Sequence, residues 1–312
     1  MASEPFNSSS SSFILVGVPS LEAFPTCLGI LFCSGYVIAL VGNGVVLLVI
    51  GLDTSLRDPV HCFLGMLAVI DVVMATSVVP KMLGVFWLNS VEIGYTACFV
   101  QMFLVHSTTS EESGVLLAMA VDRYVAICHP LRYRAVLNRQ TIAQIGLAIM
   151  VRALLFMVPL TGMVTNLPYC RSRVVPHSYC EHMAVAKLAC ADPRASGLYS
   201  VVGSSLIVGM DVAFIAVSYG MILKTVLGKK ARWKAFSTCG SHACVLLLYY
   251  VPGMVSIYTQ HFSSGVSLRA RVLLADLYLM LPTMLNPIVY SMRTRQIRQA
   301  VLKMLLPRKV HA

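Results

Sequence analysis

Long apolar stretches alternate along the chain with short polar segments, and this alternation dominates the sequence. Each stretch holds roughly 20 or more predominantly apolar residues, the length that an α-helix needs to cross a bilayer. The predicted membrane spans are Thr26–Gly51, Pro59–Pro80, Thr96–Val121, Thr141–Val164, Gly197–Leu223, Ala235–Thr259 and Arg271–Met292. The pattern therefore predicts an all-α membrane protein folded as a seven-transmembrane helix bundle.

A further, shorter helix is predicted directly after the seventh span. From Thr294 to Leu306, basic and apolar residues alternate at helical spacing, which is typical of an amphipathic helix on a membrane surface. A plain charged tail is the alternative. The predicted domains are an extracellular segment over residues 1–25, a seven-transmembrane domain over residues 26–292, and a cytosolic amphipathic helix and tail over residues 293–312.

The distribution of basic residues predicts the orientation in the membrane. The loops after the first, third and fifth spans and the C-terminal segment together hold 16 Lys and Arg, and the other side holds seven. The positive-inside rule therefore predicts a plasma-membrane protein with an extracellular N-terminus and a cytosolic C-terminus. On the extracellular side, Asn7-Ser8-Ser9 is a glycosylation sequon, so Asn7 is the predicted acceptor.

The composition agrees with an integral membrane protein. The mean hydropathy is +0.78, 57% of the residues are hydrophobic and 12% are charged, whereas soluble proteins average about 25% charged residues. A net charge of +11 would ordinarily suggest a nucleic-acid partner. The hydropathy excludes that class, so we expect membrane lipids around the chain and no nucleic acid.

Four cysteines lie on the predicted outer side. Cys98 is at the outer end of the third span, and Cys170, Cys180 and Cys190 lie in the long loop before the fifth. This side is oxidising enough for disulfides to persist. Four cysteines allow three connectivities, which stay open on this reasoning. Two bridges would hold down a loop of roughly 30 residues, a length at which loops are usually functional.

A charged triplet, Asp122-Arg123-Tyr124, stands at the inner end of the third span. An acid beside an arginine at a membrane interface can form an ion pair in one state and release the arginine to another partner in a second state. A chance occurrence of the three letters is the alternative.

Several motifs together resemble one family over nearly the whole chain. They are MAVDRYVAICHPLRY at Met119–Tyr133, KAFSTCGSH at Lys234–His242 and PTMLNPIVY at Pro282–Tyr290. With the three loop cysteines, the chain resembles the olfactory (odorant) receptors, which are rhodopsin-like G-protein-coupled receptors. The run Arg293–Arg298 resembles that of the class I, fish-like branch. Asp276 departs from the asparagine that is common in the family.

The resemblance implies a receptor and not an enzyme, with a small odorant as ligand. The implied partner is the heterotrimeric stimulatory olfactory G protein, which raises cyclic AMP. The implied disulfides are Cys98–Cys180 and Cys170–Cys190. The implied coupling and switch residues are Asp122, Arg123, Tyr124, Tyr219, Lys234, His242 and Tyr290.

The resemblance also places a ligand pocket in the outer part of the bundle. The residues that it implies are Met102, His106, Thr109, Ser110, Ser204, Ser205, Ile207, Tyr250, Ile257, Tyr258 and His261. Some class I relatives carry an arginine where this chain has His261. Since a neutral histidine holds a carboxylate less firmly than arginine, we expect ligands to extend beyond acids to alcohols, aldehydes or ketones. Alternatively, His106 and His261 only hydrogen-bond the outer loop.

Charged residues inside the predicted spans are each a functional hypothesis, because burying them in lipid is costly. By resemblance, Asp71 and Glu112 hold a sodium ion, and a hydrogen-bonded polar core with water is the alternative. Arg152 and Asp211 lie at similar depth, so we expect them to pair, the alternative being separate polar contacts. Glu111 is one helical step from Glu112 and must face elsewhere, toward a neighbouring helix.

Two other function classes are disfavoured by the sequence. A transporter would show an inverted repeat, which is not visible. An intramembrane enzyme would need a nucleophile with a positioned base. His242 does have Ser237 and Ser241 nearby, but all three belong to the motif that is read as a coupling element.

Overall fold

The computed structural model describes residues 12–19, 25–170, 172–226, 232–262, 265–293 and 295–305, and these are mostly helical. The helices are α1 Pro25–Leu52, α2 Pro59–Leu88, α3 Tyr95–Cys128, α4 Tyr133–Val136, α5 Arg139–Thr165, α6 His182–Ala186, α7 Arg194–Val226, α8 Arg232–His261, α9 Leu268–Arg293 and α10 Arg295–Leu305. Three short strands are β1 Ser12–Leu15, β2 Glu92–Gly94 and β3 Val174–Val175.

The long helices form the predicted seven-transmembrane bundle. Within the described residues, α1, α2, α5, α7, α8 and α9 are each long and apolar enough to cross a membrane. The seventh is α3, taken with the segment Pro130–Val136 that turns away from it by 115°. The short amphipathic helix after the last span is α10. The predicted fold class is therefore confirmed.

The third span carries many polar side chains because it is a central helix of the bundle. It packs against α2, α5 and α7, and its polar side chains Ser107, Thr108, Ser113 and Glu112 are buried. Polar groups within a membrane are tolerated where they face protein instead of lipid. The polar positions of α3 thus mark the interior of the bundle, where a site can be built.

The end of the second helix differs from the predicted span. The second span was expected to end at Pro80, but α2 continues through this proline to Leu88. Proline within a membrane helix is tolerated because neighbouring groups satisfy the freed carbonyl. The helix ends at Asn89, whose left-handed backbone (φ 50°) lets its amide bond the carbonyl of Gly84. This longer helix extends the outer end of the bundle.

The outer face is covered by a structure that the span pattern does not predict. Strand β1 pairs antiparallel with β2 and parallel with β3, so the N-terminal segment joins two loops in one small sheet. Phe13 and Leu15 of β1 are fully buried in an apolar cluster beneath the loop that contains Cys180. The segment before α1 is thus part of the roof over the bundle.

Two disulfides hold the long outer loop in place. Cys98 at the start of α3 is bonded to Cys180, and Cys170 is bonded to Cys190. The Cα atoms of the two pairs are 5.4 and 5.7 Å apart, within the usual range for disulfides. The structure therefore contains both bridges that the resemblance implies, and the Cys98–Cys180 bridge attaches the loop to α3.

Candidate functional site

A cavity of about 110 Å³ lies between α3, α5, α7, α8 and α9 beneath the outer loop. Its lining is mainly apolar with a few polar groups, as is usual for small-ligand sites. Eight of the predicted ligand-binding residues line it: His106, Thr109, Ser110, Ser204, Ile207, Tyr250, Ile257 and His261. The volume is well below the roughly 300–1,000 Å³ of sites for drug-sized ligands, so a ligand of few heavy atoms fits best.

Three of the predicted ligand-binding residues lie away from this cavity. Met102 is buried in the apolar cluster under the outer loop, because that loop covers α3 one turn above His106. The hydroxyl groups of Ser205 and Tyr258 are 3.0 Å apart and hydrogen-bond each other. Tyr258 also stacks on Phe262 and remains 39% exposed. This pair joins α7 to α8 outside the cavity.

The cavity also has lining residues that the sequence did not single out. They include Tyr179 and Glu181 from the outer loop, Phe156 from α5 and Gln260 from α8. The loop residues directly flank Cys180, whose bridge to α3 holds them over the bundle. Their closeness in sequence to this cysteine is the signal that could have identified them.

His106, His261 and Glu181 form the roof of the cavity, and His182 packs against His106 outside the lining. The rings of His106 and His182 meet edge to face, with their centroids 6.4 Å apart. Burial, together with the neighbouring His106 and His261, lowers the pKa of His182 to about 3, so this side chain is neutral. Burial raises the pKa of Glu181, whose Oε2 accepts a hydrogen bond from the amide of Ala184 (2.6 Å). The roof therefore offers hydrogen bonds more than positive charge.

Two histidine nitrogens at the cavity remain available to a ligand. His261 Nδ1 lies 3.0 Å from the carbonyl oxygen of Ile257. Its Nε2 and the Nε2 of His106 are buried and have no hydrogen-bond partner within the described residues. Because a buried polar atom without a partner is costly, these two positions favour a ligand with a polar group.

A hydrogen-bonded ion pair lies next to the cavity, behind the lining residues Ser110 and Ser113. Arg152 Nη1 donates to both carboxylate oxygens of Asp211 at 2.7 and 2.9 Å, and Arg152 Nη2 donates to the carbonyl of Ser110 at 2.8 Å. Ser113 Oγ donates to Asp211 at 2.5 Å and lies 2.9 Å from the hydroxyl of Tyr250. The expected pair thus exists, and it links α5 and α7 to α3 and α8.

Two buried acids lie deeper in the bundle. The side-chain amide of Asn286 donates to both oxygens of Asp71 and to Oε1 of Glu112, each at 3.2 Å. Both carboxyl groups are almost fully buried. Nearby, the side-chain amide of Asn43 donates to the carbonyl of Thr283 at 3.0 Å. These oxygen donors are of the type that hard cations prefer.

The charged triplet at the inner end of α3 is in its paired state. Arg123 donates to Asp122 from Nε at 2.9 Å and from Nη2 at 2.5 Å. The hydroxyl of Tyr133 donates to the other oxygen of Asp122 at 2.6 Å. Tyr124 lies apart from this pair, with its hydroxyl 3.1 Å from His129 Nε2. Asp122 is therefore held from two sides.

The remaining predicted switch residues lie on the other inner helices. The hydroxyl of Tyr219 on α7 lies 2.6 Å from Nδ1 of His242 on α8. The hydroxyl of Tyr290 is buried and has no partner within the described residues. Lys234 falls within α8, but its side chain lies outside the described part of the chain, as does Asn7.

Comparison with known proteins identifies relatives over most of the chain. A sequence model of the olfactory receptor family matches residues 32–308. The chain is 52% identical to human olfactory receptor 52I2 over 295 residues, covering 93% of this chain and 84% of that protein. It is 50% identical to human olfactory receptor 52I1, covering 93% and 91%. It is 45% identical to human olfactory receptor 51E1, covering 95% and 94%.

Proposed function

We propose that this chain, which belongs to the class I branch of the olfactory receptor family, detects a small polar odorant in the cavity under the outer loop. The members of this family are G-protein-coupled receptors and not enzymes. Binding activates a stimulatory G protein and raises cyclic AMP. The observation that carries this proposal is the cavity itself, whose residue Tyr250 is hydrogen-bonded into the network of Arg152 and Asp211. A ligand there contacts a group that links four helices.

The proposed receptor lies in the plasma membrane with its N-terminus outside. The excess of basic residues on the side that carries Arg123 supports this orientation. The two disulfides at the opposite end support it as well, since bridges persist in oxidising surroundings. The domain boundaries at residues 25 and 293 follow from the same orientation.

The ligand class follows from the size and charge of the cavity. A volume of about 110 Å³ suits a short-chain molecule. Glu181 in the roof disfavours a second carboxylate, and His261 replaces a permanent positive charge with a weaker anchor. We therefore propose that short alcohols, aldehydes and ketones activate the receptor alongside acids, with a polar group near His106 or His261.

The proposed mechanism is a ligand-biased equilibrium between two packings of the helices. In the first, Arg123 is paired with Asp122 and the inner ends of the helices are closed. In the second, the inner end of α8 swings outward and frees Arg123 for the G protein. A ligand that binds more tightly to the open packing shifts the population toward it, and Tyr250 is the group through which it does so.

The proposal is tested by measuring cyclic AMP in cells that display the chain, challenged with short acids, alcohols, aldehydes and ketones. We expect neutral ligands to activate the wild type. His261→Arg should shift the preference toward acids by about tenfold, since it restores a charged donor. Tyr258→Phe is the control, because that side chain lies outside the cavity. An unchanged ranking in His261→Arg would contradict the assigned anchor, and silence of a displayed receptor would contradict the ligand class.

We further propose that Asp71 and Glu112 hold a sodium ion. Two buried carboxyl groups that share one amide donor repel each other, and a monovalent cation would offset that repulsion. Replacing choline with sodium in the buffer at constant ionic strength should then raise the melting temperature of the purified receptor, because a ligand that binds the native state stabilises it. Asp71→Asn and Glu112→Gln should abolish this dependence. A wild type that ignores sodium would favour the water-filled polar core instead.

A further inference from the structure

Glu111 has no role in the receptor mechanism described above. It lies in the middle of α3, about 24 Å along the helix from Tyr95 at 1.5 Å per residue. Its side chain is half-buried, and it forms no hydrogen bond or ion pair within the described residues. Acidic side chains within a membrane normally face the bundle interior and are paired. An unpaired carboxyl at this depth therefore points to a missing partner.

This carboxyl group lies in the wall of a groove between α2, α3 and α5. The groove has a volume of about 450 Å³, and its remaining lining is apolar, including Met66 and Val69 of α2 and Gly146 and Met150 of α5. Val69 and Met150 are about half exposed on the side of the bundle, where lipid surrounds a membrane protein. The groove thus opens to the bilayer and is separate from the cavity under the outer loop.

The absence of a side chain at Gly146 helps to create this space. A Cβ atom added there would lie 3.0 Å from the terminal carbon of Met66. A larger residue at this position would therefore fill part of the groove between α2 and α5. The volume falls within the roughly 300–1,000 Å³ that small-molecule sites occupy.

We propose that this groove binds a lipophilic amine, with Glu111 as its counter-ion. An ionised carboxylate only accepts hydrogen bonds, and an ammonium group supplies three donors together with the opposite charge. The apolar walls suit the hydrocarbon part of the molecule. A neutral amine can enter from the bilayer and take the proton of the neutral carboxyl group. The resulting pair of ammonium and carboxylate carries no net charge, which removes the cost of a single charge in lipid.

Two other occupants fit the groove less well. Cationic head groups of bilayer lipids lie at the interface, whereas Glu111 lies near the middle of the span. A second copy of this chain would have to present a basic residue at the same depth. Within the described residues, the basic side chain at that depth is Arg152, and it is already bound to Asp211. A small amphiphile that dissolves in the bilayer core meets both requirements.

The test uses the full chain in nanodiscs of uncharged phosphatidylcholine and a photoreactive diazirine analogue of decylamine, with mass spectrometry to map the labelled residues. The wild type should be labelled on α2, α3 and α5 around the groove. Glu111→Gln should reduce this labelling at least about tenfold, equivalent to about 1.4 kcal/mol. The matched decanol analogue, which has the same chain and no charge, should label the groove no better in the wild type than in Glu111→Gln.

Two tryptophan variants separate occupancy of the groove from general effects on α5. Ala143 lines the groove and Ala148 does not, and both are exposed positions on the same helix. Ala143→Trp should abolish labelling, and Ala148→Trp should leave it unchanged. Glu181→Gln, which alters the acid of the odorant cavity, should also leave it unchanged. Equal labelling of the wild type and Glu111→Gln, or labelling confined to the residues of that cavity, would overturn the proposal.

Discussion

Replacing Arg152 with methionine is expected to reduce surface display of the receptor more than tenfold. The substitution would leave Asp211, only 3% exposed, as a charge without its partner between α3, α5 and α7. Breaking a buried ion pair in this way typically costs about 3–5 kcal/mol, which is a large part of the 5–15 kcal/mol that usually stabilises a folded domain. Display is measured by antibody staining of intact cells against total protein.

Two further variants serve as controls for the prediction on Arg152→Met. Arg139→Met removes an arginine from the exposed start of the same helix and should leave display unchanged. The double variant Arg152→Met with Asp211→Leu removes both charges, so display should largely recover. Signalling should not recover, because the hydrogen bond from Ser113 to Asp211, through which Tyr250 is joined to α7, would still be lost. Normal display of Arg152→Met alone would show that the pair does not stabilise the bundle.

Replacing Arg123 with glutamine is expected to abolish ligand-dependent nucleotide exchange on a stimulatory G protein while display stays intact. Arg123 is partly exposed at the inner end of α3, and Asp122 keeps a hydrogen bond from Tyr133 when the arginine is removed. The fold should therefore tolerate the change. The open packing would lose the cation that we propose to contact the G protein. Exchange is measured with purified receptor and G protein.

The companion variant Tyr133→Phe should raise nucleotide exchange, whereas Arg123→Gln should abolish it. It removes the 2.6 Å hydrogen bond to Asp122, which helps to hold that carboxylate in the closed arrangement. A hydrogen bond to a charged group contributes about 1.5–3 kcal/mol, and every 1.4 kcal/mol shifts a two-state equilibrium tenfold. The equilibrium should therefore shift toward the open packing by about tenfold or more, and basal exchange without ligand should rise with it. Retained signalling in Arg123→Gln would contradict the proposed contact between this cation and the G protein. Unchanged basal activity in Tyr133→Phe would contradict the paired state as the resting state.

Features that depend on hydrophobicity or depth could be predicted from the sequence. The spans follow from the length of each apolar stretch, and the pairing of Arg152 with Asp211 follows from their similar depth on neighbouring helices. The Asp122–Arg123 contact is local, since the two residues are adjacent in sequence. In each case the length of an apolar stretch or the separation of two residues along the chain is enough for the prediction.

Features that depend on how distant segments meet could not be predicted in this way. Strand β1 follows a serine-rich segment and pairs with residues near positions 93 and 174. Glu181 and Gln260 line the cavity because the loop folds over the bundle, which no periodicity encodes. For Glu111, the helical step showed that it faces away from Glu112. It did not show that α2 and α5 leave a groove at that face.

The small sheet over the outer face also sets an order of events during biosynthesis. Ile14 of β1 pairs with Val174 of β3, so the strand is made 160 residues before one of its partners. At about 5–20 residues per second, this delay lasts roughly 8–32 s. During that time the cluster that buries Phe13 and Leu15 is incomplete, because its members Val175, Cys180 and Val185 have not yet been made. A chaperone that binds short apolar strands would act on this receptor early, before the fifth membrane helix is complete.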